Sequence, residues 1–235
     1  MRLVKGDYDA VTEYSDDPVA VAARFVAEGA EMVHVVDLEA ARGGGRSQEI
    51  VEALGEAGVP FQVGGGIRTP ASATAALSAG ATRVVVGSAI LGTLPDAKRI
   101  IEAVGVETVV AAIDVRAGRA RGSAWLDEGL RVSDAVERLG VLGVERALVT
   151  GIESDGTMTG PALELFSEVR ELEPHLELIA SGGVGTLADI RSLAASAVNF
   201  EGVIVGRALY ENRFTLPAAL EAGSAARSRA GSVGQ

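Results

Sequence analysis

The chain has 235 residues, 48% of them hydrophobic, with 30 glycines and no cysteine. That length can bury a sizeable core in one domain, and without cysteine there can be no disulfide, zinc–thiolate site or thiol nucleophile. A net charge of −11 argues against nucleic acid or an anionic membrane as the main partner.

Residues 1–17 hold five acidic side chains and no apolar stretch, so no secretory signal is read there. Short apolar runs then recur: VHVVDL at 33–38, FQVGG at 61–65, RVVVG at 83–87 and VVAAID at 109–114. The series continues with RALVT at 146–150, LELIAS at 176–181 and GVIVG at 202–206. Stretches rich in Ala, Leu, Glu and Arg separate them, such as DPVAVAARFVAEGA and SDAVERLGVLG. Strand–helix alternation at this spacing predicts βαβ units and a parallel sheet. No apolar run approaches the roughly 20 residues of a membrane span. Only EAGSAARSRAGSVGQ reads as unstructured, so the expected organisation is one domain over 1–220 and a flexible tail over 221–235.

The chain repeats itself. GGGIRT at 64–69 resembles SGGVGT at 181–186, and VVVGSAI at 84–90 resembles VIVGRAL at 203–209. Gly65 and Gly182 are 117 residues apart; Gly87 and Gly206 are 119 apart. The expected fold class is therefore α/β, a (β/α)8 TIM barrel built from two half-barrel repeats. Seven strands are countable, whereas a closed barrel of this type has eight. Subtracting 117 from Asp114 gives −3, upstream of Met1. The first strand, with a carboxylate to partner Asp114, is thus expected to be absent from this sequence. MRLVKGD would be the segment that follows it, as RARGSAW follows Asp114.

Several motifs could carry chemistry. Gly65–Gly66 and Gly87–Ser88 each follow a strand, and Gly182–Gly183 and Gly206–Arg207 repeat the arrangement. Glycine lets backbone N–H groups approach an anion closely; the plain alternative is a set of tight turns. A duplicated site implies two phosphates at opposite edges of one barrel mouth. Asp114 ends the run VVAAID, where burial would penalise a charge. It is expected at the strand's C-terminal end, as a general acid or base or as a loop cap. Thr150 ends another strand on the same face. Asp155, before Gly156, is either functional or an ordinary turn residue. Arg2, Arg68, Arg116, Arg121 and Arg207 are candidate anion partners. Trp125 is either loop packing or a platform for a planar substrate. Asp37 ends a strand at the same face and ranks second. His34 reads as a core residue, and two isolated histidines, His34 and His175, speak against a histidine-rich metal site.

In order and spacing, RLVKGDYD, YSDDPV, VHVVDL, QVGGGIR, AAIDVR, ESDGTMTGP, IASGGV and GVIVGRALYENRFTL resemble the histidine-biosynthesis phosphoribosylformimino-aminoimidazole carboxamide ribotide isomerase family over residues 2–220. The resemblance implies a (β/α)8 barrel that converts an aminoaldose to an aminoketose in a bisphosphate substrate by an Amadori rearrangement. It implies a base on the first strand and an acid at the end of the fifth, the place of Asp114. It also implies a catalytic-support role for Thr150, a functional role for Asp155 and substrate contact for Arg2, with no cofactor and no metal. The implied protein is a cytoplasmic monomer that binds a small bisphosphate. The family pattern has a strand like PAID before RLVKGD. The chain as written is accordingly expected to show little isomerase activity and low stability, with about a dozen added residues restoring both. Three alternatives stay open: a dual-specificity isomerase that also acts on phosphoribosylanthranilate, the cyclase subunit of imidazole glycerol phosphate synthase, and a phosphosugar-binding remnant without turnover.

Overall fold

The computed structural model describes residues 2–4, 7–44, 47–122 and 128–232. The chain opens with an antiparallel hairpin, β1 (Arg2–Val4) and β2 (Asp7–Thr12). Helix α1 (Pro18–Ala27) starts on Asp17, whose side chain accepts from the Ala20 N–H. Then come β3 (Val33–Val36), α2 (Leu38–Ala41), α3 (Gln48–Glu56), β4 (Phe61–Gly64), α4 (Pro70–Ser78), β5 (Arg83–Val86), α5 (Ser88–Leu91) and α6 (Leu94–Val104). The second half holds β6 (Val109–Arg116), β7 (Arg119–Arg121), β8 (Leu130–Arg131), α7 (Val132–Leu142), β9 (Arg146–Gly151), α8 (Leu163–Leu172), β10 (Glu177–Ser181), α9 (Leu187–Ala195), β11 (Gly202–Ile204), α10 (Arg207–Tyr210) and α11 (Leu216–Ser232).

Strands β3, β4, β5, β6, β9, β10 and β11 hydrogen-bond in that order, every pair parallel, as a nearly closed barrel with helices around it. These are the seven strands counted in the sequence. Among the described residues β3 and β11 are the ends of the path. The outer layer spans that seam: Tyr14 stacks on Tyr210 with ring centroids 4.8 Å apart, and Phe25 of α1 meets Tyr210 edge-on at 5.8 Å. Gly29, just after α1, has φ +107, and a Cβ there would lie 2.9 Å from Leu220 of α11.

The two faces of the sheet carry different cores. Val84, Val86, Val109, Ala111, Ala147, Val149, Leu178 and Ala180 pack outward with the helices. Val85, Val110, Leu148 and Ile179, with Ala112 and Ile204, form a separate inner cluster made only of strand residues. Side chains alternate along a strand, so the residues two positions before these mark the inner floor. There Arg146 pairs with Glu177 and Glu201, and Arg83 pairs with Glu201. The residues two positions after them line the mouth.

The half-barrel repeat is structural as well as sequential. Gly65 and Gly66 have φ +90 and +68; Gly182 and Gly183 have φ +91 and +83. Thr69 and Thr186, 117 apart, each form a capping box, with Ser72 and Asp189 respectively. Gly87 and Gly206 each precede a four-residue helix with closely similar backbone angles. Arg2 and Arg119 are also 117 apart, and each opens an antiparallel hairpin, β1–β2 and β7–β8. The matching of MRLVKGD with RARGSAW therefore corresponds, at Arg2–Val4 and Arg119–Arg121, to strands that each open a hairpin.

One expectation is corrected. Residues 221–232 are not an unstructured tail, because α11 runs through Ser232. Ala219 and Ala222 are buried, and a Cβ on Gly223 would sit 3.7 Å from Ile190 of α9. Small side chains let two helices approach closely, a kind of packing that hydrophobic periodicity does not register.

Candidate active site at the barrel mouth

Asp114 stands in register with Thr150, Thr150 with Ser181, and Ser181 with Ile204. Asp114 follows Val110 and Ala112 at two-residue steps, Thr150 follows Leu148, and Ser181 follows Ile179. All three therefore crown the inner cluster on the barrel's C-terminal rim, the face where catalytic groups of such barrels sit. Thr150 is only 5% exposed. Ser181 was not singled out from the sequence. Its signal was the repeat itself, in which a serine replaces the first glycine of GGGIRT.

Asp114 is not the last residue of its strand, contrary to expectation. β6 continues through Val115 and Arg116 and folds back as β7, with Asp114 opposite Arg121 and Arg116 opposite Arg119. The apolar run stops at Asp114 because the inner face opens there, while Val115 remains buried on the helix side. Arg116 and Arg121 thus share the hairpin with Asp114. Arg119 is tied to the returning chain through the Glu128 and Gly129 carbonyls.

The glycine turns flank this row. Their conformations have a cause beyond any ligand: neighbouring loops lie against them. A Cβ on Gly65 would collide with the Asp37 backbone, one on Gly66 with Ala40, and one on Gly183 with the Gly160 carbonyl. Gly183 in turn accepts from the Gly160 N–H at 2.9 Å. Gly87 differs, since its nearest neighbour would be the Ala112 Cβ at 3.5 Å. Ser88 follows it as the first residue of α5. Around the second pair, Gly156, Met158, Gly182, Gly183, Gly206 and Arg207 line one small pocket. Asp155 lies beside it: its Cβ would be 3.5 Å from a Cβ on Gly182, and its N–H donates to the Gly151 carbonyl.

Two predicted anion-binding arginines are engaged by protein groups. Arg68 donates to the Ala40 and Ala41 carbonyls at 3.2 and 2.6 Å. Arg207 donates to Glu211 at 2.5 Å and to the Gly156 carbonyl at 2.6 Å. The hydrogen bond to Glu211 raises the Arg207 pKa, and the same bond, with a smaller contribution from Tyr14, holds the Glu211 carboxyl below its ordinary range.

Asp37, the second-rank candidate, is a helix cap. Its carboxylate accepts from the Ala40 N–H at 3.0 Å and the Ser47 N–H at 2.8 Å, and it is 4% exposed. His34, read as a core residue, stands on β3 with a side-chain partner. It lies on the inner face, half-buried, 3.1 Å from the Gln62 side-chain amide. His175 is exposed after α8. Arg2 opens β1, and Trp125 lies outside the described residues. Among the described residues no three His, Cys, Asp or Glu side chains are grouped to hold a metal ion, and no helix is long and apolar enough to cross a membrane.

Residues 1–215 match the family model described as "Histidine biosynthesis protein". A protein of Thermomicrobium roseum is 42% identical over 217 residues, covering 91% of this chain and 88% of its own length. It bears the name 1-(5-phosphoribosyl)-5-((5-phosphoribosylamino)methylideneamino) imidazole-4-carboxamide isomerase. Proteins with the same name from Geobacillus thermodenitrificans and Frankia casuarinae are 39% and 38% identical, covering 94% and 100% of this chain and 91% and 94% of their own. By family match, and by identity sustained along nearly its whole length, this chain belongs to the histidine biosynthesis protein family.

Proposed function

We propose that the protein is the imidazole-4-carboxamide isomerase of histidine biosynthesis, an aldose–ketose isomerase acting on a bis-phosphoribosyl substrate. One observation carries the reading at the level of the site. A row of Asp114, Thr150 and Ser181 crosses the barrel mouth, and a glycine turn of the same backbone form flanks it in each half. A substrate with a phosphate at each end and its reacting sugar between them fits that arrangement.

The reaction moves hydrogen within one molecule. Asp114, as general acid, protonates the ribose ring oxygen while the C1–O bond breaks and the nitrogen lone pair forms an iminium. Loss of the C2 proton to a base then gives an enaminol, which becomes the aminoketose by protonation at C1 and loss of the C2 hydroxyl proton. C2 is oxidised and C1 reduced, so the step needs no external oxidant or reductant. The Thr150 hydroxyl, next in register to Asp114, can hydrogen-bond the carboxyl or the opening sugar. Asp155 overhangs the second phosphate turn on the loop after β9. The reading includes a cytoplasmic, monomeric enzyme without cofactor.

The test is conversion of the named bisphosphate aminoaldose to its aminoketose by the purified protein, followed by product chromatography. Phosphoribosylanthranilate serves as the comparison substrate. The imidazole carboxamide compound is the expected substrate, converted where a base partners Asp114; binding without conversion by a protein that holds both groups would reject the enzymatic reading.

A further inference from the structure

Arg207 places a cation beside the second glycine turn, yet its guanidinium is directed at protein groups from two parts of the chain. Nε meets Glu211 at the end of α10, and Nη1 meets the Gly156 carbonyl in the loop after β9. Glu211 also accepts from the Tyr14 hydroxyl at 3.2 Å, and the Tyr14 ring lies flat on Tyr210. An arginine already offset by a carboxylate contributes little net field to a nearby anion. Its fork geometry instead suits holding two acceptors in a fixed relation.

The two halves of the barrel differ in what they hold. In the first half, Arg68 grips the Ala40 and Ala41 carbonyls, but that segment is also a helix capped by Asp37. In the second half, the loop from Ile152 to Gly160 is built from turns. Its ties include the Ser154 N–H to Gly151, the Thr157 hydroxyl to the Ser154 carbonyl, the Gly160 N–H to Gly183, and Arg207 to Gly156. This loop carries Asp155. With no helix cap of its own, it depends more heavily on its arginine.

We propose that Arg207 is a positioning residue: it fastens the Asp155 loop onto the turn at Gly182–Gly183, so that loop and turn form one rigid edge of the site, rather than supplying its charge to a phosphate. The kinetic consequence rests on the isomerase reading; the consequence for loop order does not.

The experiment compares wild type, Arg207→Ala, Arg207→Lys and Glu211→Gln by hydrogen exchange of residues 152–160, by affinity for inorganic phosphate, and by kcat and KM. Arg207→Ala should speed exchange in the loop at least about tenfold, the scale of losing one charge-assisted hydrogen bond. It should lower kcat by a similar factor and leave phosphate affinity within about twofold. Arg207→Lys keeps the charge but loses the fork, so it should behave like Arg207→Ala. Unchanged loop exchange in Arg207→Ala overturns the proposal. So does rescue by Arg207→Lys together with a large loss of phosphate affinity in Arg207→Ala, the signature of a phosphate ligand. If Arg207→Ala does not fold, Glu211→Gln decides: faster loop exchange supports the proposal, whereas unchanged exchange with tighter phosphate binding, from a released arginine, overturns it. Wild-type protein without turnover would reject the isomerase reading while leaving the exchange and phosphate measurements to judge Arg207.

Discussion

Asp114 and Thr150 are register partners on adjacent parallel strands, side by side on the inner face of the barrel rim. A hydroxyl on the neighbouring strand in that register can orient a carboxyl group or a sugar oxygen without filling the site. Thr150→Val keeps the shape and removes the hydroxyl. It is expected to lower kcat about tenfold, the scale of one hydrogen bond in a water-poor site, with little change in melting temperature. A fall in melting temperature with kcat unchanged would make Thr150 a packing residue.

The glycine turns separate two causes that coincide in the sequence. Gly65 and Gly183 have positive φ and face backbone, so alanine at either should destabilise the fold by at least about 1 kcal/mol. Gly183→Val is for the same reason a poor probe of phosphate binding. Gly87 has room for a methyl group against Ala112. Gly87→Ala should therefore keep the melting temperature while weakening the bisphosphate, since the methyl intrudes only on an approaching ligand. Unchanged affinity would remove the first turn from the site.

Glu211 gives the seam a pH dependence. Its folded-state pKa is depressed, chiefly by the Arg207 hydrogen bond. The linked stability is complete above the ordinary glutamate value of about 4.3 and is lost as pH falls through the depressed value. The stability difference between wild type and Glu211→Gln should be constant from neutral pH down to about 5 and shrink below that. Denaturant melts across that range measure it; a difference that grows in acid would show that the carboxylate is not stabilised by its partners.

The seven parallel strands were legible because strands covered on both faces must be apolar throughout. The repeat was legible because both halves need the same glycine conformations. The β1–β2 and β7–β8 hairpins were not, since segments such as RAR and LR are too short to show an apolar period. The backbone ladder with β7 carried β6 past Asp114, where the apolar pattern ends. Asp37 could have been recognised as a cap from the helix-forming LEAA that follows it. The ties of Arg68 to Ala40 and Ala41 and of Arg207 to Gly156 could not, because their acceptors are carbonyls, which every residue carries; the Arg207–Glu211 pair, four residues apart, could.

The central claim is that Asp114 gives its proton to the substrate at the mouth of this barrel, and Asp114→Asn tests it most directly. The amide keeps the size of the carboxyl and its place in the β6 ladder, so the variant should fold and bind the bisphosphate with affinity close to that of wild type. Its kcat for aminoaldose isomerisation should fall at least about 100-fold, the usual scale of general acid–base catalysis. Turnover within a few-fold of wild type would contradict the assignment of Asp114 as the acid.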